Sequence, residues 1–334
     1  MDLLNEIVKE IGSDYAKIAS DKESTETYID TGSYVFNGLV SGSILGGVSS
    51  NRITAIAGET STGKTFFSLA VVKNFLDNNP NGYVLYFDTE SAVNKELLES
   101  RNIDTKRVGH IEVVTVEEFR NKALKALDIY LDKPTEERTP CLFVLDSLGM
   151  LSTEKEIRDA LDDKNVRDMT KSQLVKGAFR MLTLKLGQAN VPLIVTNHTY
   201  DVIGAYIPTK EMGGGSGLKY AASTIIYLSK AKEKDGTEVV GNIIKAKTIK
   251  SRLSKENKEV KIRLFYDERG LDKYYGLLDL AEKHDVIKKV GNRYEIKGKK
   301  VYAKEVYSNP EKYFDNEIMQ ALDEVSKKEF SYGE

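Results

Sequence analysis

The stretch Gly58-Glu59-Thr60-Ser61-Thr62-Gly63-Lys64-Thr65 decides the fold of this chain. An apolar run at 53–57 precedes it and an apolar helical pattern at 66–76 follows it, which is the strand–loop–helix context of a GxxxxGK[ST] phosphate loop. A chance glycine-rich turn would lack that context. Glycines let backbone N–H groups surround a triphosphate, and the helix N-terminus adds free donors. The sequence therefore predicts that these eight residues bind a nucleotide.

Three side chains are suited to a nucleotide and its metal ion. Lys64 can reach the β- and γ-phosphates of ATP, and the Thr65 hydroxyl can bind Mg²⁺. A second oxygen ligand is predicted at Asp146, because the apolar run at 141–145 ends there as a buried strand would. Many strands end in aspartate, but the position of this one downstream of a phosphate loop favours a Mg²⁺ ligand.

The composition describes a globular chain without a strong overall charge. The 334 residues are 40% hydrophobic and 30% charged, with a formal net charge of −2. Any contact with nucleic acid must therefore come from local loops or from a groove formed by assembly. The single cysteine, Cys141, excludes disulfides and cysteine zinc sites within one chain, and only three histidines argue against a histidine metal site.

The N-terminal sequence MDLLNEIVKEIG lacks the basic and long apolar regions of a signal peptide. No stretch of about 18 apolar residues is present, so we expect no membrane partner and a cytoplasmic location.

Five apolar residues near the N-terminus share one face of a predicted helix over 2–11: Leu3, Leu4, Ile7, Val8 and Ile11. The polar stretch 20–27 after it is typical of a linker. The helix either packs on its own domain or docks on a neighbouring subunit, and the residues alone leave both possibilities open.

Two further predicted strands end in polar side chains. The run 83–87 ends in Asp88-Thr89-Glu90, and the run 191–196 ends in Asn197-His198. At the edge that carries the phosphate loop, His198 is a candidate sensor of the γ-phosphate. The alternative is a structural histidine with an ordinary hydrogen bond.

Two long segments are candidate binding loops. Residues 152–170 are highly charged and show no clean apolar face, so a solvated loop is the alternative there. Residues 199–215 form a second predicted loop, with glycines whose N–H groups could bind phosphates. Four side chains of this segment could stack on bases or wedge between them: Tyr200, Ile203, Tyr206 and Ile207.

The remaining chain is predicted to extend the sheet and to add a small module. Residues 30–52 are expected to be rich in β-structure, and strands are expected at 224–228, 241–249 and 260–266. The C-terminal module (residues 273–334) combines an apolar helix, a small hairpin and a last helix over roughly 311–328. Its many lysines indicate either a solvated surface or a contact with duplex DNA.

The order of these features resembles the RecA family of strand-exchange recombinases, and within it the UvsX recombinases of T-even-type phages. The likeness covers roughly residues 1–310 and is carried mostly by 146–200, including DSLGMLSTEKE, DALDDKNVRDMTK and TNHTY. It implies an α/β P-loop NTPase of RecA type, with a mostly parallel central sheet flanked by helices. The implied units are an N-terminal oligomerisation helix with its linker (1–29), an ATPase core (30–272) and a small α+β module (273–334).

The resemblance also implies roles for individual residues. Glu90 matches the catalytic glutamate that orients or activates the attacking water, and His198 the residue that reports the γ-phosphate. Lys250 and Arg252 match a cationic pair that reaches the ATP of the neighbouring subunit. Segments 152–170 and 199–215 match the two DNA-binding loops, with Ile203 as a wedge between bases. The DNA-binding candidates are Lys155, Arg158, Lys164, Arg167, Tyr200, Ile203, Tyr206, Gly214, Gly215 and Ser216.

The implied function is an ATP- and Mg²⁺-dependent recombinase. It would form helical filaments on single-stranded DNA, then pair that strand with homologous duplex DNA, with single-strand-binding and loader proteins as expected partners in an infected bacterial cell. One alternative is a hexameric helicase of the same fold, which should form closed rings. Another is an ATP-binding mediator without strand exchange.

Overall fold

The computed structural model describes residues 2–11, 27–163, 170–202, 210–235, 238–267 and 269–333. The strands of the described residues are β1 (Tyr28–Ile29), β2 (Val48–Ser49), β3 (Ile53–Gly58), β4 (Tyr83–Asp88), β5 (Val108–Glu112), β6 (Cys141–Asp146), β7 (Leu193–Asp201), β8 (Lys210–Met212), β9 (Thr224–Asp235), β10 (Glu238–Ser251), β11 (Glu259–Phe265), β12 (Lys288–Val290), β13 (Arg293–Ile296) and β14 (Lys299–Val301). The helices are α1 (Asp2–Ile11), α2 (Tyr34–Ser41), α3 (Lys64–Asn78), α4 (Lys95–Ser100), α5 (Val116–Leu131), α6 (Glu154–Leu161), α7 (Lys171–Ala189), α8 (Ser216–Ala221), α9 (Leu277–Lys283), α10 (Ala303–Ser308), α11 (Pro310–Tyr313) and α12 (Asn316–Phe330).

A single large sheet runs in the order β11-β10-β9-β3-β7-β6-β4-β5, with β8 added beside β7. The strands from β9 to β5 along this order are mutually parallel, whereas β10, β11 and β8 pair antiparallel. Parallel strands require crossover connections, and helices supply them here. This arrangement confirms the predicted α/β class with a mostly parallel central sheet.

The carboxyl ends of the central strands bring the candidate site together. Gly58 at the end of β3 pairs with His198 on β7 and with Leu228 on β9. Asp88 at the end of β4 pairs with Asp146 at the end of β6. In open α/β sheets, this edge is where ligands bind.

Helices cover both faces of the sheet, so alternate strand residues enter two separate apolar cores. On β6, Leu142 and Val144 join one core, and Phe143 and Leu145 join the other. All six residues of β6 are buried. Burial on both faces explains why this strand is a continuous apolar run in the sequence.

Local capping explains where several helices begin. Thr115 accepts a hydrogen bond from the Glu118 amide at the start of α5, and Asp315 accepts one from the Ile318 amide at the start of α12. Thr153 and Glu156 form a reciprocal capping box at the start of α6. Each cap satisfies backbone N–H groups that a helix end leaves free.

Residues 30–52 are not the β-rich segment that the sequence predicts. Apart from the two-residue strands β1 and β2, this region contains the buried helix α2, which ends at Gly42 with φ of 93°. The apolar run of α2 suits a strand as well as a buried helix. Packing against the C-terminal module favours the helix. A Cβ at Gly38 would lie 2.6 Å from the Ser326 hydroxyl oxygen, so α2 contacts α12 closely.

The two predicted loops contain more regular structure than expected. Helix α6 occupies part of the segment 152–170. In the segment 199–215, β7 continues to Asp201 and pairs with β8 as two arms of a hairpin. Residues 164–169 and 203–209 are outside the described part of the chain.

The C-terminal module contains the three-stranded antiparallel sheet β12-β13-β14 and the helices α9 to α12. It joins the core through buried hydrogen bonds, such as that from the Ser326 hydroxyl to the Gly42 carbonyl at 2.8 Å. Its lysines at 288, 289, 299 and 300 are exposed. Among the described residues, no helix combines the length and apolar character needed to cross a membrane.

Candidate nucleotide site

The predicted phosphate loop turns from β3 into α3. The Lys64 ammonium donates to the carbonyls of Gly58 at 3.1 Å and Glu59 at 2.9 Å, and the Thr62 hydroxyl donates to the Glu59 carbonyl at 2.8 Å. Gly63 has φ of 89°, a conformation that favours glycine. A Cβ on Gly58 would lie 2.8 Å from the Leu228 carbonyl oxygen, so a side chain there would strain the loop.

Lys64 is unusually buried for a lysine, with 7% of its surface exposed. Burial lowers the pKa of Lys64, the charges of Asp146 and Glu90 oppose that shift, and Lys230 adds to it. Burial therefore places a cation at the phosphate loop with few competing water molecules around it. Such a cation interacts more strongly with phosphate than an exposed one would.

Asp146 lies at the centre of a buried hydroxyl cluster. Its Oδ2 accepts hydrogen bonds from the Thr65 and Tyr86 hydroxyls, both at 2.8 Å, and its Oδ1 accepts one from the Thr196 hydroxyl. Burial first, and then the charge of Asp146, raise the pKa of Tyr86 well above its ordinary value. Tyr86 therefore remains a donor, and the carboxylate of Asp146 is fixed next to Thr65.

This arrangement fits a Mg²⁺ ion bound together with a nucleotide. Thr65 and Asp146 supply two hard oxygen ligands in contact with each other. Magnesium usually combines one or two protein oxygens with water and phosphate oxygens. The described residues contain no cluster of three or more His, Cys, Asp or Glu suited to a metal ion.

The Glu90 carboxylate lies on the same edge and is held in place by its neighbours. The Ser147 hydroxyl donates to Glu90 Oε1 at 2.6 Å, and His198 Nε2 lies 3.3 Å from the same oxygen. Ser147 follows Asp146 through a cis peptide bond and is completely buried. Thr89 connects the two strand ends, since its hydroxyl donates to the Ser147 carbonyl at 2.9 Å.

Lys64, Thr65, Glu90, Asp146 and His198 are thus brought together where β3, β4, β6 and β7 end or continue into loops, whereas the predicted cationic pair is not part of this cluster. The Lys250 ammonium donates to the carbonyls of Lys219, Tyr220 and Ala222, at the C-terminal end of α8. Burial lowers the pKa of Lys250, and the charge of Arg252 adds to that shift. The Arg252 side chain is exposed. Within one chain, Lys250 therefore caps a helix.

The described DNA-binding candidates lie near the same end of the sheet. Tyr200 is 60% exposed on β7, and Gly214 and Gly215 have positive φ directly before Ser216 at the start of α8. Arg158 is exposed on α6, and Lys155 forms an ion pair with Asp159 at 4.0 Å. Lys164, Arg167, Ile203 and Tyr206 lie outside the described residues.

Sequence reasoning missed several residues of this site. Two lysines contact the phosphate loop from neighbouring strands: Lys230 donates to the Ser61 carbonyl at 2.8 Å, and Lys210 forms an ion pair with Glu59. The Tyr86 and Thr196 hydroxyls that donate to Asp146, and the Ser147 hydroxyl that donates to Glu90, were also missed. Ser147 directly follows β6, whereas Tyr86 and Thr196 lie within β4 and β7, so these contacts can be recognised only once the strand register is known.

Comparison with models of protein families supports the resemblance to the RecA family. The family model described as the RecA N-terminal domain matches residues 2–272. A recombination and repair protein of Enterobacteria phage T4 is 33% identical over 266 residues, which are 80% of this chain and 65% of the phage protein. The match therefore spans slightly less than two thirds of the length of that relative.

Bacterial RecA proteins match at lower identity but over more of their length. Protein RecA of Clavibacter michiganensis is 26% identical over 303 residues, 88% of this chain and 79% of that protein. Protein RecA of Paenarthrobacter aurescens is 25% identical over 335 aligned positions, 99% of this chain and 91% of that protein. The resemblance inferred from the motif order is confirmed, and the chain belongs to the RecA family.

Proposed function

We propose that this chain is an ATP-dependent DNA recombinase that forms helical filaments on single-stranded DNA and catalyses homologous pairing and strand exchange. The observation that carries the proposal is the position of Glu90. Its carboxylate contacts Ser147 and His198, on the edge that also presents Lys64 and the Thr65–Asp146 pair. Family membership and the recombination and repair protein of phage T4 add support.

The proposed chemistry is hydrolysis of the terminal phosphoanhydride of ATP. The oxygen of water forms a bond to the γ-phosphorus while the bond to the β–γ bridging oxygen breaks, and ADP leaves with that oxygen. Glu90 orients the water and accepts its proton, and the Ser147 hydrogen bond keeps the carboxylate in place. Lys64 stabilises charge on the β- and γ-phosphates. Mg²⁺ bound by Thr65 and Asp146 would neutralise further phosphate charge.

The contacts of His198 support its proposed role as a γ-phosphate sensor. Its ring faces Glu90, and its carbonyl accepts a hydrogen bond from the Gly213 amide at 3.0 Å. The neighbouring Asn197 side chain donates to the Gly213 carbonyl at 2.9 Å. A change at the γ-phosphate would thereby reach the glycine-rich end of the second DNA loop. Hydrolysis would then weaken DNA binding and release the strand.

The proposed DNA contacts combine backbone amides, cations and an exposed aromatic ring. Gly214, Gly215 and Ser216 would bind phosphates, Tyr200 would stack on a base, and Lys155 and Arg158 would add charge. From the sequence alone, we propose four further DNA contacts: Lys164, Arg167, Ile203 and Tyr206. Contacts mainly to the DNA backbone would leave base edges free, so Watson–Crick pairing would test homology.

Filament assembly is proposed from the exposed apolar face of α1. Leu3, Leu4, Ile7 and Ile11 are each about half to two-thirds exposed, from 49% to 69%. Burial of such a face against a second copy of the chain would stabilise the assembly. Arg252, and Lys250 after release from α8, would then contact ATP in that neighbouring subunit. We propose three units accordingly: an N-terminal helix and linker for filament contact (1–29), an ATPase core (30–272) and a small C-terminal module (273–334).

Electron microscopy of the chain with single-stranded DNA and a slowly hydrolysed ATP analogue tests this function. The proposal predicts open helical filaments that depend on both ligands, and strand exchange with homologous duplex when ATP is supplied. Closed rings with fork unwinding would instead establish the helicase alternative. DNA-dependent filaments without strand exchange would favour the mediator alternative.

A further inference from the structure

The turn that presents Glu90 is closed by a single buried carboxylate. Asp88, which is 2% exposed, ends β4 and accepts hydrogen bonds from two backbone amides of the turn. Its Oδ1 accepts from the Glu90 amide at 2.9 Å, and its Oδ2 accepts from the Val93 amide at 3.2 Å. Both oxygens of Asp88 are therefore used to fix the backbone on either side of Ser91, whose φ is 51°.

A histidine on the neighbouring edge strand holds this carboxylate. His110 lies on β5 directly opposite Tyr86 of β4, two residues before Asp88, so its side chain reaches Asp88 diagonally. Its Nε2 lies 3.0 Å from Asp88 Oδ2, and its side chain is 36% exposed. His110 thus reaches the turn from the outer edge of the sheet, on a strand that carries none of the other site residues.

The charge state of Asp88 fits this arrangement. Burial alone would raise the pKa of Asp88, but the hydrogen bond from His110 and those from the Glu90 and Val93 amides lower it below its ordinary value. The carboxylate is therefore ionised and accepts three N–H donors. Without the His110 donor, a buried charged oxygen would lose one of its partners, which favours a rotation of the carboxylate or entry of water.

Such a rotation would move Glu90, because its amide is bound to the same carboxylate. The Val93 side chain is buried, so the far end of the turn is anchored and the displacement concentrates at residues 89–92. A displacement of about 1 Å at a reacting group can cost on the order of a hundredfold in rate. The position of Glu90 is thus sensitive to a side chain that does not touch it.

We propose that His110 is a positioning residue for Glu90 and acts through Asp88. The catalytic part of this inference rests on the proposed ATPase function, whereas the structural part, which concerns the order of the turn, does not. The two parts therefore need separate measurements on the same variants.

The test compares His110→Ala, which removes the donor, with His110→Gln, whose side-chain amide can still donate to Asp88. A matched control is His284→Gln, a histidine beside Glu329 in the C-terminal module with 23% of its side chain exposed. The first measurement is hydrogen exchange of the Glu90 and Val93 amides in the free protein. The second is kcat and KM for ATP hydrolysis with single-stranded DNA.

The expected result is exchange of both amides at least about tenfold faster in His110→Ala, with values near wild type in His110→Gln and in the control. In hydrolysis, His110→Ala should lower kcat by roughly tenfold or more and change KM for ATP little, and His110→Gln should recover most of kcat. Unchanged exchange in His110→Ala would overturn the proposal. So would faster exchange spread over the whole chain, because that pattern describes general destabilisation. A wild-type chain without hydrolysis would refute the proposed function, and the exchange data would still decide the role of His110.

Discussion

Two regions of this molecule hold charged groups in opposite ways. The nucleotide edge consists of eight residues from different parts of the chain: Lys64, Thr65, Tyr86, Glu90, Asp146, Ser147, Thr196 and His198. Its two carboxylates accept hydrogen bonds from neighbouring side chains, and Asp146, which is 5% exposed, has three hydroxyl donors. In the C-terminal module, ion pairs such as Lys297–Asp315 lie on the surface, with the lysine side chain 57% exposed. Buried polar groups need every partner, whereas exposed pairs are replaced by water at little cost.

One ion-pair cluster of the C-terminal module is an exception, because its carboxylate is largely shielded from solvent. Glu329 is 11% exposed and forms ion pairs with Lys258 at 2.7 Å, Lys283 at 2.8 Å and His284 at 3.2 Å. Lys258 belongs to the core, so this carboxylate joins the core to the module. We therefore expect loss of Glu90 at the nucleotide edge to reduce activity, and loss of Glu329 to reduce stability without affecting activity.

The largest effect is expected for Glu90→Gln. The amide cannot accept a proton from water, so ATP hydrolysis should fall by roughly a hundredfold or more, while binding of ATP and DNA persists. The matched control is Glu112→Gln, an exposed glutamate at the end of β5. Steady-state kinetics measure the rate of hydrolysis, and binding measurements show whether ATP and DNA still bind. Hydrolysis at the wild-type rate in Glu90→Gln would show that Glu90 does not activate the attacking water.

The second effect concerns Glu329 and acid. Burial alone would raise its pKa, but hydrogen bonds from Lys258 and Lys283 outweigh burial and lower the pKa to about 2, from 4.5. A carboxyl group whose pKa is lower in the folded state stabilises the protein above its unfolded pKa, and that contribution disappears as the pH falls from about 4.5 towards 2.

Because solvent screens the partly exposed lysine partners, we expect Glu329→Gln to lower the free energy of unfolding at pH 7 by about 2 kcal/mol, less than the full pKa shift would give, and to flatten its decrease below pH 4.5. Urea unfolding across this pH range measures both changes, and hydrolysis at pH 7 should remain near wild type. An unchanged acid dependence would show that Glu329 contributes no such coupling.

The third effect compares the same substitution at two buried threonines. Thr196→Val removes a donor to Asp146 and should cost about 2 kcal/mol of stability, because the carboxylate loses a hydrogen bond. Thr248 is equally buried, and within the described part of the chain its hydroxyl has no hydrogen-bond partner. Thr248→Val should therefore be neutral or stabilising. Equal losses in urea unfolding would contradict the special status of the nucleotide edge.

The smallest effects are expected at the surface of the C-terminal module. Lys297→Ala should change stability by less than about 0.5 kcal/mol, because it removes only an exposed ion pair. Asp315→Ala should cost about 1 kcal/mol, because Asp315 also caps α12 through the Ile318 amide at 3.1 Å. Thermal unfolding ranks the two variants. A larger loss for Lys297→Ala would mean that surface charge matters more here than proposed.

Sequence patterns were sufficient where structure is local. The phosphate loop is set by a strand, two glycines and a helix start within a few residues, so its placement and the α/β class were predictable. The position of Asp146 at a strand end was predictable for the same reason, because its strand is a continuous buried run.

Contacts between distant strands were not predictable from one sequence. Ser147 reaches Glu90 across 57 residues of chain, and Thr196 reaches Asp146 across 50. Their roles depend on the register of parallel strands, which no local pattern encodes. The helix α2 was mistaken for β-structure because an apolar run with a central glycine fits either state until Gly38 is packed against Ser326.

The most direct test of the central proposal is ATP hydrolysis by the wild-type chain, measured with Mg²⁺ in the presence and absence of single-stranded DNA. If Glu90, Ser147 and His198 couple the phosphate loop to the DNA loops, DNA should stimulate hydrolysis strongly, and Glu90→Gln should abolish the stimulated rate. A rate that is the same with and without DNA would contradict the account.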